Sequence, residues 1–170
     1  MNQRTESVMV VGGFSGGGPQ NTGQKKEPCP PVPQHPADAD IDKNIASAEG
    51  ARRKSWTPIG PSNWFYNQVR NGGPWDYKQQ GKRDGKNYQD FGNFNFGATA
   101  LALNIFDEQT ILREAGRAQI AAGTSRPEWG YPGSRLSPYG GKPPYGDDPA
   151  DQAQIKKGFA YYKAKERGCQ

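Results

Sequence analysis

Apolar side chains recur at helical spacing in several separate stretches of the chain. Over residues 41–54 they fall on one face, and Asp40 precedes them as an N-cap candidate. A short second helix is expected to begin at Ser62 and to end before the Asn-Gly-Gly-Pro sequence at 71–74. The first half of the chain therefore predicts two short helices separated by a turn.

The second half of the chain carries the two clearest helix signals. Residues 108–122 follow Asp107, which suits an N-cap, and they stop at Gly123. A last helix is predicted to begin at Asp148, with a proline in its first position, and to close at Gly168. Both boundaries are typical of helices that start and stop sharply.

Two long stretches, 71–98 and 124–147, are rich in glycine and aromatic residues and lack a helical period. Within the first, the sequence FGNFNFG at 91–97 alternates in part, which predicts a short strand or an aromatic loop. The pattern as a whole predicts a mainly α fold of about five short helices with long loops, or an α+β fold with a small sheet. Loops of this length are uncommon unless functional, so we expect the site between them.

Composition divides the chain of 170 residues into three parts. Glycine-rich and proline-rich sequence over 1–40 predicts a disordered leader, 41–60 a helical lead-in and linker, and 61–168 the folded domain. Aromatic residues make up 11% of the chain, which argues against disorder throughout.

The positive charge lies in the folded part. Residues 1–45 contain four basic and five acidic side chains, whereas the remaining 125 contain 18 and 12. This surplus favours contact with anionic polymers. The N-terminal apolar run, 8–11, is shorter than a signal peptide or a membrane span requires. We therefore expect no signal peptide and no stable membrane insertion.

The single histidine, His35, falls in the predicted leader, so the folded domain is expected to work without one. Two kinds of hydrolysis then remain: glycoside cleavage by paired carboxylates, and phosphodiester cleavage by carboxylates with lysine and arginine, with or without a divalent cation. No cofactor is certain, and no residue is assigned as a metal ligand. Cys29 and Cys169 allow one disulfide, but two isolated thiols are the favoured expectation.

The GPWDYK motif supplies the first catalytic candidates, Asp76 and Lys78, an acid and a base two residues apart. Such a pair could position a phosphate or a sugar hydroxyl, with Trp75 beside it as a substrate-binding candidate. The alternative is a surface ion pair next to a buried tryptophan.

The DFGNFNFG motif supplies Asp90 as a catalytic candidate and Asn93, Asn95 and Phe96 as substrate-binding candidates. Its glycines would let a ligand approach the backbone, and its phenylalanines could stack on bases or sugars. The alternative is a packed aromatic loop in which the asparagines satisfy backbone groups.

The predicted helix 108–122 contains the catalytic candidates Arg113 and Glu114. Glu114 lies near the apolar face, where burial would raise its pKa and suit it to act as a general acid. The alternative is a solvated glutamate paired with Arg117.

Three carboxylates cluster at the start of the last helix, and together they could hold a divalent cation. Capping already explains Asp148 and Asp151, but it leaves Asp147 without a structural role, so Asp147 is a catalytic candidate. Tyr145 is the nearby substrate-binding candidate.

Several motifs resemble, in register, the polymorphic toxin type 44 family. They span about 62–162 and read WFYNQVRNGGPWDYKQQG, YQDFGNFNFGAT, LREAGRAQ, AGTSRPEWG and PPYGDDPADQAQIKKG. The resemblance implies a toxin domain of bacterial competition that a specialised machine, such as type VI secretion, exports into target cells. It also implies a cognate immunity protein, a secretion-machinery partner and nuclease activity, with RNA the favoured substrate.

A peptidoglycan-cleaving, muramidase-like glycosidase acting in the periplasm is the alternative function. The lack of histidine, the paired carboxylates and the aromatic-rich loops favour it. A binding module in which these charges are structural is the third reading.

Overall fold

The computed structural model of the protein describes residues 27–137 and 140–170, and six α-helices supply their regular structure. The mainly α prediction is confirmed. Within those ranges strand-like pairing is limited to one bridge between Tyr131 and Lys142, so the small sheet of the alternative does not form there. None of the described helices is long and apolar enough to cross a membrane. The helices are α1 (Ile41–Arg53), α2 (Ile59–Val69), α3 (Tyr77–Arg83), α4 (Gln89–Ala102), α5 (Glu108–Ala121) and α6 (Pro149–Glu166).

Three helix starts lie where the sequence predicts them. The side chains of Asp40, Asp107 and Asp148 accept hydrogen bonds from backbone N–H groups in the first turns of α1, α5 and α6. The start of α2 differs from the prediction, since the helix begins three residues before Ser62, directly after Pro58. Pro58 has helical dihedral angles, and its side chain makes no capping hydrogen bond. Its ring fixes φ near the helical value, which favours a helix start at this position.

The predicted strand or aromatic loop at 91–97 is wrong, because this sequence is part of α4. Phe91, Phe94 and Ala98 lie three and four residues apart on one helical face, and all three are fully buried. Glycine, asparagine and phenylalanine are weak helix formers, so local propensity hides the helix and packing against the rest of the core determines it. The predicted long loop 71–98 therefore contains α3 and much of α4.

Helices α4 and α6 form the closest contact in the fold, and two glycines permit it. A Cβ atom on Gly97 would overlap the carbonyl oxygen of Ile155, and one on Gly158 would overlap the carbonyl oxygen of Phe94. Gly97 thus faces a neighbouring helix, whereas the sequence suggested that it faces a ligand. The rings of Phe94 and Tyr161 pack 5.4 Å apart farther along both helices.

The N-terminal ends of α4 and α6 lie together. Gln89, the first residue of α4, donates a hydrogen bond of 2.9 Å to Asp151 in the first turn of α6. Because contacts continue in the same direction to Phe94 and Tyr161, the two helices start at the same end of the molecule. This end holds the polar cluster described below.

The predicted leader divides into two parts. Residues 1–26, which contain its glycine-rich stretch, lie outside the described residues. Residues 27–40 contact the domain, since Pro36 is fully buried and the ring of His35 lies 5.0 Å from that of Phe91. The expectation that the folded part lacks a histidine is therefore wrong, although His35 itself is exposed.

Cys29 and Cys169 form a disulfide, so the expectation of two isolated thiols is wrong. The proline-rich segment after Cys29 packs on the domain, and the disulfide holds Cys29 beside the C-terminal residues. The backbone N–H of Gln170 also donates a hydrogen bond of 3.2 Å to the carbonyl of Glu27.

Candidate active site

Three buried side-chain polar atoms in the described ranges have no hydrogen-bond partner, and all three belong to one end of the molecule. They are Nδ2 of Asn93, Oδ2 of Asp147 and Oε1 of Gln154. Asn93 and Gln154 lie within the first six residues of α4 and α6, and Asp147 directly precedes the N-cap of α6. Buried polar groups in proteins are almost always paired, so a cluster of exceptions marks a candidate site.

Asp147 is the most perturbed carboxyl group of this cluster. Only 3% of its surface is exposed, and its Oδ1 accepts a hydrogen bond of 3.0 Å from the backbone N–H of Asp148. Burial, together with the nearby charge of Asp151, raises the pKa of Asp147 to about 7. At neutral pH this side chain is therefore protonated in about half of the molecules.

The turn before α6 holds Asp147 in this position. Tyr145 has a positive φ of 67°, and its carbonyl lies against Gly116 of α5, where a Cβ atom would overlap it. The Tyr145 hydroxyl accepts a hydrogen bond of 3.2 Å from Gln109. Tyr145, a substrate-binding candidate by sequence, is thus buried and fixes the turn from which Asp147 enters the cluster.

Asp151 faces α4 and holds the second carboxylate of the cluster. Both of its oxygens accept hydrogen bonds from Nε2 of Gln89, at 2.9 and 3.2 Å. Burial raises the pKa of Asp151, whereas the Gln89 hydrogen bond and the charge of Lys78 oppose that rise. Its position in the first turn of α6 also favours the ionised form, because the helix dipole is positive there.

Sequence reasoning assigned Asp151 to capping and overlooked the glutamines. Capping of α6 needs only Asp148, whose carboxylate accepts from the backbone N–H of Ala150 at 2.8 Å. The sequence contains one signal for Asp151: Asp148 alone suffices to cap α6, so Asp151 is not needed as a cap. Gln89 and Gln154 carry no local signal, because only the packing of α4 on α6 brings their amides to Asp151 and Asp90.

Two more sequence candidates join the cluster. Asp90, in the first turn of α4, is exposed and accepts a hydrogen bond of 3.0 Å from Nε2 of Gln154. Lys78, the second residue of α3, is exposed and close enough to Asp151 for its charge to lower that pKa. The structure therefore brings together Lys78, Asp90, Asn93 and Asp147 of the candidates, and we call these four with Asp151 and Gln154 the carboxylate cluster.

Asp76 and Trp75 have contacts of a different kind. The carboxylate of Asp76 caps α3 and accepts from the backbone N–H groups of Gly72 and Gln79, at 2.8 and 3.2 Å. The indole of Trp75 packs edge to face against Trp64, with ring centres 5.5 Å apart. Asp76 thus has a local structural role as a helix cap, which differs from the surface ion pair of the predicted alternative.

Asn95 and Phe96 contribute to the interior. Asn95 is buried and its Oδ1 accepts a hydrogen bond of 2.8 Å from Asn44, which also donates to the hydroxyl of Tyr77 at 2.7 Å. Phe96 packs against Phe65 with ring centres 5.7 Å apart. Both side chains join helices to each other.

Arg113 organises the loop after α5. It is buried, and its guanidinium donates to the backbone carbonyls of Pro132, Ser134 and Ser137, at 2.5, 2.8 and 3.2 Å. Glu114, its neighbour, is paired with arginines on both sides rather than buried alone. Its oxygens lie 3.2 Å from Arg117 and 2.9 Å from Arg135.

Two surface cavities lie beside these residues. One of about 230 Å³ is bordered by Asp38, Asp40, Trp75 and Tyr77. The other, of about 270 Å³, has the Arg113–Glu114 pair in its wall. In the part of the chain that the structure describes, no group of three or more His, Cys, Asp or Glu residues is arranged to hold a metal ion.

Comparison with known proteins adds one finding. The family model described as bacterial toxin 44 matches residues 63–164, from α2 into α6. This range contains every residue of the carboxylate cluster. No curated protein and no solved structure matches the chain.

Proposed function

Because the chain belongs to the bacterial toxin 44 family, we propose that it is a toxin that hydrolyses glycosidic bonds of peptidoglycan, with Asp147 as general acid and Asp151 as its ionised partner. The observation that carries the proposal is the pairing of a buried carboxyl group of raised pKa with a second carboxylate in one cluster. Asp147 has a pKa of about 7, and Asp151 is held by Gln89. Carboxyl pairs whose environments separate their protonation states are typical of glycoside hydrolysis.

In this reaction the proton on Oδ2 of Asp147 passes to the glycosidic oxygen as the bond to the anomeric carbon breaks. A water molecule adds to that carbon, and Asp151 takes up the proton that the water loses. Asp151 then releases its proton to solvent and Asp147 regains one, so atoms and charge balance over the cycle. Asp147 thus acts as the general acid and Asp151 as the general base. In typical enzymes each of these roles raises the rate about 10²–10⁴-fold.

The unpaired atoms of the cluster favour a sugar over a phosphate. Nδ2 of Asn93 needs an acceptor, whereas Oε1 of Gln154 needs a donor. A sugar hydroxyl supplies both, but a phosphodiester supplies acceptors only. Asp90 and Asp151 also place negative charge at the site, opposed by Lys78, and this repels a polyanion.

The disulfide supports the same choice. Disulfides persist in oxidising compartments such as the bacterial periplasm and are rare in the cytosol. Cys29–Cys169 therefore suits a protein that works where peptidoglycan lies. We propose delivery by a specialised secretion machine and neutralisation by a cognate immunity protein, in keeping with the family.

Nuclease activity, with RNA as the favoured substrate, is the second candidate. The cavity that contains Arg113, Arg117 and Arg135 supports it, because guanidinium groups bind phosphate. Glu114 pairs with two of these arginines and opposes such binding.

The test expresses the full chain in the cytoplasm or, with an added signal sequence, in the periplasm. Harm that is confined to periplasmic expression, together with release of glycan fragments from purified peptidoglycan, supports glycosidase activity. Degraded RNA after cytoplasmic expression, with intact peptidoglycan, would refute it and favour the nuclease.

Matched variants make the test specific. Asp147→Asn and Asp151→Asn should each slow fragment release about 10²–10⁴-fold. Asp107→Asn should not, since it changes an aspartate at the N-terminus of α5, outside the cluster. Equal activity of all three variants would refute the assignment of the acid and its partner.

A further inference from the structure

Helix α2 and the turn before it expose three large apolar side chains. Trp56 is fully exposed, and Ile59 and Tyr66 expose 68% and 65% of their surfaces. Single exposed apolar residues are ordinary, but three along one short segment mark an interaction site.

Trp56 precedes α2, whereas Ile59 and Tyr66 belong to one stripe along that helix. Ile59, Asn63, Tyr66 and Arg70 follow one another at spacings of four, three and four residues, and all four are exposed. Phe65 lies on the opposite face and is buried in the core. The helix is therefore fixed to the domain by one face and presents the other face outward.

The segment of sequence that contains the stripe carries charge of one sign. Residues 50–75 contain four basic side chains, Arg52, Arg53, Lys54 and Arg70, and no aspartate or glutamate. Arg53 pairs with Glu49 at 3.5 Å, and Arg52 donates to the carbonyl of Ser55 at 3.0 Å. Lys54 precedes the stripe in the sequence and Arg70 ends it, and this positive charge favours a partner that carries negative charge.

We propose that Trp56, Ile59 and Tyr66 are the docking surface for an acidic protein with an apolar groove, the immunity protein that protects the producing cell. This inference rests on one part of the proposed function, namely that the toxin has an immunity protein. It does not depend on the glycosidase activity. Ile59 and Tyr66 lie seven residues apart on one face of α2, a spacing that fits a helix to a groove, and tryptophan, tyrosine and arginine dominate the energetics of protein interfaces.

A protein fits this surface better than a membrane does. Helices that lie in a lipid surface have a broad apolar face, whereas the stripe of α2 has two apolar side chains, Ile59 and Tyr66, with the polar Asn63 between them. None of the stripe residues belongs to the carboxylate cluster, so their substitution leaves the proposed chemistry in place.

The probe is the protective protein, recovered by selecting fragments of the source genome that let cells survive expression of the full chain. The double variant Trp56→Ala/Tyr66→Ala should bind the purified protective protein about 100-fold more weakly, and cells that make this protein should lose their protection. The control, Ile120→Ala/Leu136→Ala, alters exposed apolar residues elsewhere and should bind normally.

Three outcomes would overturn the inference. The first is that the double variant binds the protective protein as tightly as the wild type does. The second is that no protective protein is recovered. The third is that the double variant still binds the protective protein but no longer binds phosphatidylglycerol vesicles or RNA that the wild type binds. The double variant should remain toxic in cells that lack the protective protein, and it should unfold at the wild-type temperature. Together these results exclude misfolding as the cause of weaker binding. Glycan release is measured separately, so failure of the proposed glycosidase activity leaves the docking result interpretable.

Discussion

Cys29 is joined to Cys169 by a disulfide, although 140 residues separate them in the sequence. The bond ties the segment before α1 to the residues after α6. Closing so long a loop restricts the unfolded chain far more than the folded one, and that difference stabilises the fold. The free energy of unfolding should therefore depend on the redox state.

Substitution of both cysteines by serine should lower the free energy of unfolding by about 2–5 kcal/mol. Urea denaturation of the wild type, with and without dithiothreitol, gives the measurement. The reductant should shift the wild-type midpoint to that of the double variant and leave the variant unchanged. An equal response of both proteins to the reductant would contradict a stabilising disulfide.

Gly158→Ala should destabilise the protein because its Cβ atom would overlap the carbonyl of Phe94 and force α6 away from α4. We expect a loss of about 1–3 kcal/mol in the free energy of unfolding. Gly50→Ala is the matched control: Gly50 lies within α1, and a Cβ atom there meets nothing within 4 Å. It should gain up to about 1 kcal/mol, because alanine favours the helix. Equal effects of the two substitutions would contradict the close packing of α4 on α6.

The sequence predicts those parts of the fold in which local signals and packing agree. Asp40, Asp107 and Asp148 precede periodic segments, and each is a helix N-cap. Helix α4 was missed because its small and aromatic residues have weak helical propensity. Its helix depends on contacts with α6, and those contacts connect residues about 60 positions apart.

The same distinction applies to the candidate site. Asp147 was identified because capping left it without a role, and the structure gives it an unpaired, buried oxygen. Asp151 was assigned to capping, because its contact with Gln89 depends on the arrangement of two helices. Asp76 and Arg113 are catalytic candidates by residue type. In the structure, however, their side chains form hydrogen bonds with backbone groups.

Arg113→Lys should release the loop after α5, because lysine lacks the planar fork that contacts three carbonyls. We expect a loss of about 2–4 kcal/mol in the free energy of unfolding and faster proteolysis within 132–137. Limited digestion followed by mass spectrometry locates the cleavage. Arg117→Lys, which alters only an ion pair with Glu114, should leave the loop resistant. A resistant loop in both variants would contradict the role of Arg113.

Asp147 should make the fold less stable as the pH rises. Its folded-state pKa of about 7 exceeds the ordinary 3.8, so between these values the folded carboxyl keeps a proton that the unfolded chain has lost. Stability from this group is therefore greatest at acidic pH and is lost as pH rises through 7, by up to about 4 kcal/mol. Asp147→Asn removes the titration, so its stability relative to the wild type should increase from pH 5 to pH 8 in urea denaturation. A constant difference would contradict the raised pKa.

The rate of peptidoglycan cleavage should fall above pH 7, because the proposed mechanism needs the proton on Asp147. It should also fall at acidic pH, where Asp151 becomes protonated; burial raises the pKa of Asp151, so this limb should begin above the ordinary value of 3.8. Asp147→Asn should lower the rate about 10²–10⁴-fold and remove the alkaline limb. Release of reducing ends from purified peptidoglycan, followed from pH 4 to pH 9, gives both limbs. Asp107→Asn should keep the wild-type profile, whereas an alkaline limb that persists in Asp147→Asn would assign the acid to another group.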